Sequence, residues 1–300
     1  MSAIIIDGKA IARKKREEAA RKAYALKRQG ITPCLAVVLA GEDPASVSYV
    51  GAKEKALAEA GMESRDIRLP ADTTEERLLS LIAELNADPL VHGILVQLPL
   101  PERIRENSVI NAIDPRKDVD GFHPVQAGRL FLGEPGFIPC TPRGILELLR
   151  EIAVPVSGAH AVIVGRSNLV GKPLAALLAR REWNATVTVC HTGSGDLARY
   201  TTQADILVAA AGRPGLISGG MIKHGAVVID VGVNRVGDSS ARRGYRLTGD
   251  VDFESAARAA SYLTPVPGGV GPMTIAMLLH NVLKAAESRA GADEERGRHD

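Results

Sequence analysis

The chain has 300 residues, of which 45% are hydrophobic, and a formal net charge of +2. This length allows two hydrophobic cores, because single cores stop growing at roughly 250 to 300 residues. Basic and acidic residues are mixed along the predicted helices, so the sequence lacks the basic stripe of a nucleic-acid-binding protein. Cys34, Cys140 and Cys190 have neither the even number nor the spacing of a disulfide framework or a zinc site, and no metal is predicted.

The amino-terminal segment MSAIIIDGKA contains only three isoleucines before Asp7. Such an apolar run is too short for a signal peptide or a membrane span. We therefore expect a cytoplasmic protein with reduced cysteines and no membrane partner.

Strand-like and helix-like segments alternate in two series along the chain. The first series runs CLAVVLA, ASVSYVGAKEKALAEAG, SRDIRL, TEERLLSLIAELN and HGILVQLPLP. The second begins at AHAVIVG and continues with KPLAALLARRE, ATVTVCH, ADILVAAAG and GAVVIDVGVN. Such alternation is typical of parallel sheets covered by helices. The predicted fold class is therefore α/β, with two domains that each contain a mainly parallel sheet and flanking helices.

Glycine and proline cluster between the two series, in LGEPGFIPCTPR at residues 132–143. We place the domain boundary there, and expect the last apolar helix, MTIAMLLHNVLKAAES, to return to the first domain. The predicted domains are 1–140 plus 272–290, and 141–271. The charged segment at 291–300 is predicted to be a disordered tail.

Tyr49 and Lys53 stand four residues apart on a predicted helix and so share one face. A phenol and an amine on one face form a candidate acid/base pair, provided that burial or a nearby cation populates the neutral lysine. Lys55 is close in sequence but points elsewhere on a helix, so interdomain burial is the stronger candidate. The Tyr-x-x-x-Lys spacing also occurs in short-chain dehydrogenases, but there it follows the glycine motif. The remaining alternative is two exposed side chains on an amphipathic helix.

Polar residues follow the next predicted strands. Gln97 ends the strand in GILVQLPLP, where Leu98 and Pro99 begin a stiff exit, and it is well placed to orient a lysine or a substrate amide. In KDVDGFHP, Asp118 and Asp120 alternate before a glycine, but the remaining ligands of a calcium loop are missing. Asp120 is better suited to accept hydrogen bonds from a heterocyclic ligand, whereas Asp118 braces the turn.

A strand, a turn and a helix follow one another in AVIVGRSNLVGKPLAALL, the order that brings backbone donors and a helix terminus to a pyrophosphate. The spacing departs from G-x-G-x-x-G, because Ser167 stands where the second glycine would be; the alternative is a plain βα turn. The end of the next strand reads VTVCHTGSGD, and no carboxylate stands at the strand tip, where NAD enzymes place the acidic residue that holds the ribose. With Arg166 in the first turn, this favours NADP. His191 and Thr192 would then lie beside the ribose, unless His191 is a loop residue that contacts nothing.

The segment PVPGGVGPMT at residues 265–274 combines stiff proline with bare glycine. It is either a structural turn before the last helix or a wall against which a flat ligand lies on main chain.

Seven motifs together carry a family resemblance: SYVGAKEKA, ILVQLPLP, KDVDGFHP, PCTPRGI, GRSNLVGKP, VIDVGVN and TPVPGGVGPMT. In this order, and spread over nearly the whole chain, they resemble the bifunctional methylenetetrahydrofolate dehydrogenase/methenyltetrahydrofolate cyclohydrolase family. The resemblance implies NADP-dependent oxidation of 5,10-methylenetetrahydrofolate, hydrolysis of the methenyl product to 10-formyltetrahydrofolate, and a role in purine, methionine and histidine biosynthesis. It also implies a Rossmann-type second domain, a folate cleft between the domains, and a homodimer formed through the nucleotide-binding domains.

The resemblance also implies roles by position. Lys53 matches the catalytic lysine, Tyr49 the tyrosine that stacks near the pterin, Gln97 the glutamine beside the lysine, and Asp120 the carboxylate that holds the pterin. The implied substrate-binding residues are Tyr49, Gln97, Leu98, Pro99, Asp120, Pro267, Gly268 and Gly269. The implied cofactor-binding residues are Gly165, Arg166, Ser167, His191, Thr192 and Val233.

The sequence departs from the family at one place. Thr192 and Gly193 stand where members commonly have serine and a basic residue, so the grip on the phosphate rests more on Arg166. Two other functions stay open: another NADP oxidoreductase of the same plan, such as a shikimate dehydrogenase-like enzyme, and a folate- and NADP-binding regulator without turnover.

Overall fold

The computed structural model describes residues 2–241 and 244–296. The strands in this part of the chain are β1 (Ile4–Ile5), β2 (Cys34–Ala40), β3 (Glu63–Leu69), β4 (Gly93–Val96), β5 (His160–Val164), β6 (Thr186–Cys190), β7 (Ile206–Ala209), β8 (Val227–Asp230), β9 (Asn234–Gly237), β10 (Tyr245–Thr248) and β11 (Tyr262–Leu263). The helices are α1 (Gly8–Arg28), α2 (Pro44–Glu59), α3 (Glu75–Ala87), α4 (Glu106–Ala112), α5 (Pro124–Leu132), α6 (Cys140–Glu151), α7 (Gly171–Leu178), α8 (Ala198–Thr201), α9 (Phe253–Ala259) and α10 (Val270–Arg296).

The chain divides into two compact units. The first unit contains Arg13–Cys140 and the chain from Ile275 onward, and the second contains the chain up to Ala12 and Thr141–Thr274. The three divisions at 12/13, 140/141 and 274/275 fall inside α1, α6 and α10.

A three-stranded parallel sheet in the order β3-β2-β4 forms the centre of the first unit. All seven residues of β2 are buried, as expected for a strand covered on both faces. Apolar residues of α3, such as Leu78 and Ile82, pack with Val38 and Ile94 from the sheet in one core. This sheet brings the segments that follow β2 and β4 to a single edge.

The second unit contains a parallel sheet in the order β1-β11-β8-β7-β5-β6, together with the antiparallel hairpin β9-β10. The strand order reverses between β5 and β7, since β6 lies beside β5 on one side and β7 on the other. In open α/β sheets ligands bind at such a reversal, outside the carboxyl ends of the strands. The predicted α/β class with a Rossmann-type second sheet is confirmed.

Two terminal segments differ from the sequence-based expectation. Residues 1–12, expected in the first domain, group with the second unit because β1 pairs with β11 and Ala3 enters the core of that unit. At the other end α10 continues to Arg296, so 291–296 are helical rather than disordered. Alanine, glutamate and arginine favour helix, and they extend a helix already held by packing. Residues 297–300 of the predicted tail lie outside the described residues.

Candidate active site and dinucleotide site

Helix α2 carries the candidate lysine of the first unit. The Asp43 carboxylate caps its amino terminus by accepting from the Ser46 backbone N–H at 2.7 Å, and Pro44 occupies the first turn. Lys53 is buried at 9% exposure, whereas Tyr49, one turn earlier on the same face, is 42% exposed. The helix therefore presents a sheltered amine with a partly open aromatic ring beside it.

Lys53 and Gln97 are in direct contact. The Lys53 Nζ donates to Gln97 Oε1 at 2.9 Å, and Gln97 Nε2 donates to the Leu98 carbonyl oxygen at 2.7 Å. The second bond fixes the amide so that its oxygen faces the amine. The next peptide, Leu98–Pro99, is cis. Gln97 therefore lies at the carboxyl end of β4 and holds the lysine tip in one position.

Lys55, by contrast, points away from this pair. Its side chain is 77% exposed, and its Nζ lies 3.8 Å from Glu59 Oε1. The prediction that Lys55 points elsewhere on the helix is confirmed.

Asp118 braces the turn that carries Asp120. Its carboxylate accepts from the backbone N–H of Gly121 at 3.1 Å and of His123 at 2.8 Å. Burial raises the pKa of Asp118 to about 7, against the lowering effect of those backbone donors. The expectation that Asp118 braces this turn is confirmed.

Asp120 is partly buried beside Lys53. Burial raises the pKa of its carboxyl, and the positive charge of Lys53 opposes that rise. Its Oδ1 lies 4.0 Å from Cys140 Sγ. The structure thus brings an amine, an amide and a carboxylate of the first unit together, and their catalytic roles remain predictions.

Asn281 of α10 supports this turn, and sequence reasoning missed it. Its Nδ2 donates to the carbonyl oxygens of Val119 at 2.7 Å and Ile138 at 3.0 Å, and its side chain is fully buried. A lone asparagine within the apolar run MLLHNVLKAA was the available signal, because a buried amide needs partners. Since its partners lie far away in sequence, the run alone does not identify them.

The turn after β5 forms the dinucleotide candidate of the second unit. Gly165 has φ +135°, and a Cβ there would overlap the Ala210 carbonyl oxygen after β7. A Cβ at Gly171 would overlap the Gly165 carbonyl oxygen. Ser167 Oγ accepts from the Val170 backbone N–H at 3.1 Å. Positions 165 and 171 therefore require glycine, and this turn, called the Gly165 cradle below, lies at the strand reversal and the first turn of α7, where open α/β sheets bind ligands.

His191 and Thr192, which are predicted to lie beside the ribose, follow the end of β6. His191 Nδ1 accepts from the Gly193 backbone N–H at 3.1 Å, so His191 braces its own turn and is not a residue without contacts. Thr192 and Arg166 are exposed. Asp196, the next acidic residue along the chain, accepts from the Ala198 backbone N–H at 3.0 Å beside α8. The exposed guanidinium of Arg166 lies near the end of β6, and the residues at that strand end carry no carboxylate. This arrangement suits a phosphate better than an unmodified ribose.

Two further predicted segments lie in the second unit. Val233 follows β8 and is 47% exposed, which is unusual for an aliphatic side chain next to a buried strand. In the loop at 265–269, Gly268 has φ +116° and the Gly269 backbone N–H donates to the Pro265 carbonyl oxygen at 2.8 Å. The Val266–Pro267 peptide is cis. A Cβ at Gly8, the first residue of α1, would overlap the Gly269 carbonyl oxygen, so this loop packs against α1 with bare backbone on both sides.

The described residues contain neither a metal-binding cluster nor a membrane-spanning helix. Within 2–241 and 244–296, no group of three or more His, Cys, Asp or Glu side chains is arranged to hold a metal ion. No helix of the described chain is long and apolar enough to cross a membrane.

Comparisons with known proteins match both units to domains of one protein family. The model described as tetrahydrofolate dehydrogenase/cyclohydrolase, catalytic domain, matches residues 6–120, and the model for the NAD(P)-binding domain of the same family matches residues 139–290. The bifunctional protein FolD of Geotalea daltonii is 55% identical over 95% of this chain and 99% of its own length.

Solved structures agree with the sequence matches. The bifunctional enzyme FolD of Campylobacter jejuni, a methylenetetrahydrofolate dehydrogenase/cyclohydrolase, is 48% identical with a TM-score of 0.91, covering 96% of this chain and 100% of its own. The Trypanosoma brucei enzyme, solved with NADP cofactor and inhibitor, is 41% identical with a TM-score of 0.93 and covers 97% and 99%. A shikimate 5-dehydrogenase of Thermus thermophilus, at 18% identity and a TM-score of 0.52, covers 85% of this chain and 99% of its own, and shares the fold alone.

Proposed function

Because this chain belongs to the tetrahydrofolate dehydrogenase/cyclohydrolase family, we propose that it catalyses both reactions of that family. It oxidises 5,10-methylenetetrahydrofolate to 5,10-methenyltetrahydrofolate with NADP, and then hydrolyses the product to 10-formyltetrahydrofolate. The observation that carries the proposal is the buried Lys53 held by Gln97, with Asp120 beside it, in the part of the chain that matches the catalytic domain. A binding protein without turnover has no need of this fixed amine.

The first step depends on placement. NADP, when bound, accepts the hydride that leaves the one-carbon bridge, and the folate becomes a resonance-stabilised cation. The protein moves no proton in this step, so its residues only hold the reactants. We assign Asp120 to the pterin ring, because a partly buried carboxylate with a raised pKa can accept hydrogen bonds from ring N–H groups. Tyr49 stacks against the ring from the same helix face as Lys53, with Leu98 and Pro99 alongside.

The second step needs a base. Water adds to the methenyl carbon and gives one proton to the base. The bond from that carbon to N5 then breaks, as the hydroxyl of the adduct becomes the formyl carbonyl and its proton passes to N5. We assign the proton transfer to Lys53, because its Nζ is the basic atom beside Gln97 and Asp120. Gln97 keeps the amine aimed through its 2.9 Å bond. Positioned proton transfer of this kind contributes roughly 10²- to 10⁴-fold to a rate.

The second unit binds NADP in this proposal. Gly165 and Ser167 lie at the turn where the pyrophosphate approaches the backbone, and Val233, His191 and Thr192 line the remaining contacts. Arg166 pairs with the added phosphate, since charge-assisted bonds from a guanidinium to phosphate are strong. The family resemblance also implies that Pro267, Gly268 and Gly269 bind the substrate.

We also propose that the protein works in the cytoplasm as a homodimer formed through the second unit. The family resemblance supports the dimer and a supply of one-carbon units for purine, methionine and histidine biosynthesis. The three cysteines are free and buried, which suits a reducing compartment. Analytical ultracentrifugation of the full chain tests the assembly, and a sedimenting mass of one chain would contradict it.

One assay tests the catalytic proposal. Purified protein is given methylenetetrahydrofolate with NADP or with NAD, and the absorbance of the reduced cofactor and of the methenyl product are followed separately. We expect reduced cofactor to form faster with NADP and the methenyl signal to decay. Turnover of shikimate in place of the folate would overturn the assignment, as would binding of folate and NADP without any reduction.

A further inference from the structure

Two buried aspartates lie at the carboxyl edge of the second unit's sheet. Neither is one of the predicted site residues. Asp230 is the last residue of β8, and Asp250 follows β10. Both are almost completely shielded from solvent. A buried carboxylate is costly unless donors satisfy it, so its partners identify what it holds together.

Asp230 joins three segments of the second unit. Its Oδ1 accepts from the backbone N–H of Gly232 at 3.0 Å and of Asp250 at 2.9 Å, and its Oδ2 accepts from the Val251 backbone N–H at 3.0 Å. Its own backbone N–H donates to Thr264 Oγ1 at 2.7 Å. The segments after β8 and β10 are therefore tied to the Asp230 side chain, and Thr264, after β11, is tied to its backbone.

Asp250 extends the same network toward the strand reversal. Its Oδ2 accepts from the backbone N–H of Ala211 at 2.6 Å and of Gly212 at 2.8 Å, directly after β7. Its Oδ1 accepts from Asn234 Nδ2 at 2.9 Å, at the start of β9. Asp250 thus links the turn beside the Gly165 cradle to the segment that carries Val233.

Close packing leaves this network no room to relax. A Cβ at Gly232 would overlap the Asp250 carboxylate, and a Cβ at Gly249 would overlap the Asp230 carboxylate. The pKa of Asp230 is raised to about 6, because burial and, to a lesser extent, the charge of Asp250 outweigh the lowering effect of the three backbone donors. Burying two carboxyl groups so close together costs free energy, which implies that the positions of these two side chains are important for the molecule.

Val233 lies between two residues that this network fixes. Gly232 is bonded to Asp230 and Asn234 is bonded to Asp250, so both neighbours of the exposed Val233 are anchored. We propose that Asp230 and Asp250 form a carboxylate bracket that positions Val233 and the Ala211–Gly212 turn as one side of the NADP site. This inference rests on the proposed function, because it assigns the side of the site that NADP contacts. Both aspartates act through the backbone and are positioning residues.

The test is Asp250→Asn in the full chain. An amide presents one acceptor atom where the carboxylate has two, so either the Ala211–Gly212 turn or Asn234 loses its partner. We expect the KM for NADP to rise roughly 10- to 100-fold, as the loss of charge-assisted hydrogen bonds implies. We expect hydrolysis of methenyltetrahydrofolate, which consumes no NADP, to change less than about twofold. A role confined to stability would instead lower both activities together.

Asp205→Asn is the matched control at the opposite, amino-terminal edge of the same sheet. Asp205 accepts from the His160 backbone N–H at 2.8 Å and from Lys223 Nζ at 2.6 Å. This variant should lower Tm while leaving the KM for NADP unchanged. If Asp250→Asn does not fold, Asn234→Ala removes a single partner of Asp250, and we expect a smaller rise in the KM for NADP, about threefold.

The outcomes separate this inference from the proposed function. An unchanged KM for NADP in a folded Asp250→Asn or Asn234→Ala variant would overturn the bracket and leave the enzyme assignment intact. A wild-type protein that does not reduce NADP with methylenetetrahydrofolate would overturn the proposed function itself. Isothermal titration of NADP into each variant provides a second readout, in which Kd should change in parallel with KM.

Discussion

Replacing Lys53 by methionine tests the proposed base most directly. Methionine keeps an unbranched side chain of similar length in the buried position and removes the amine. The Gln97 amide stays in place, because its Nε2 remains bonded to the Leu98 carbonyl oxygen. The substitution therefore removes one atom with a defined role and leaves the surrounding scaffold in place.

The structure gives different magnitudes for stability and for rate. The lost hydrogen bond to Gln97 is worth about 0.5 to 1.5 kcal/mol, and removing a buried amine offsets that loss. We therefore expect unfolding free energies within about 1 kcal/mol of each other. Loss of a positioned base lowers a rate roughly 10²- to 10⁴-fold, which corresponds to about 2.7 to 5.5 kcal/mol of barrier. The effect on catalysis should far exceed the effect on stability.

The assay follows decay of methenyltetrahydrofolate absorbance at saturating substrate, with NADP binding measured separately. Lys53→Met should lose hydrolysis and still bind NADP. Lys55→Met is the control, because Lys55 lies on the same helix with its side chain 77% exposed near Glu59. Hydrolysis by Lys53→Met within about threefold of the wild-type rate would remove Lys53 from the mechanism.

Four further predictions test other parts of the molecule. Arg166→Ala should raise the KM for NADP roughly tenfold more than the KM for NAD, and equal increases would show that Arg166 does not read the phosphate. Gly171→Ala forces a methyl group into the Gly165 carbonyl oxygen and should cost about 1 to 3 kcal/mol in thermal unfolding. Gly128→Ala, in the middle of α5 with open space around it, should stabilise the chain by up to about 1 kcal/mol. Because Asp118 has its folded pKa, about 7, above its unfolded value, the folded state binds more protons between roughly pH 4 and 7. Stability should therefore fall as pH rises through that window, with a smaller slope in Asp118→Asn, and identical slopes in urea unfolding would contradict the assignment.

Much of the fold could be predicted from the sequence, because buried parallel strands produce continuous apolar runs. CLAVVLA became a strand with every residue buried, and AHAVIVG ended in the glycine turn as expected. The two-residue strand β1 could not be predicted, since its pairing with β11 depends on residues more than 250 positions away. The hairpin β9-β10 was also missed, because each of its strands has only four residues, partly buried or exposed, and so lacks a continuous apolar run.

Sequence patterns predicted contacts between residues that have a local signal and missed contacts whose partners are distant. Lys53 and Gln97 each stand at a recognisable place, one on a helix after a strand and the other at a strand end. Parallel strands bring such ends to the same edge, so their contact follows from the topology. Asn281, Asp230 and Asp250 have no local motif. Their importance is visible only through hydrogen bonds to residues that the fold brings near them.

Asp118 and Asp120 differ in how far the structure satisfies their carboxylates. Only one residue, Val119, separates them in the sequence, and burial raises the pKa of both. Asp118 accepts from two backbone N–H groups, so the turn satisfies its oxygens. Among the described residues Asp120 faces the Lys53 charge and a thiol 4.0 Å from its Oδ1, which is a weak partner for a partly buried carboxylate. A carboxylate with so little internal compensation beside a fixed amine is suited to an external donor, and the ring N–H groups of a pterin would supply one.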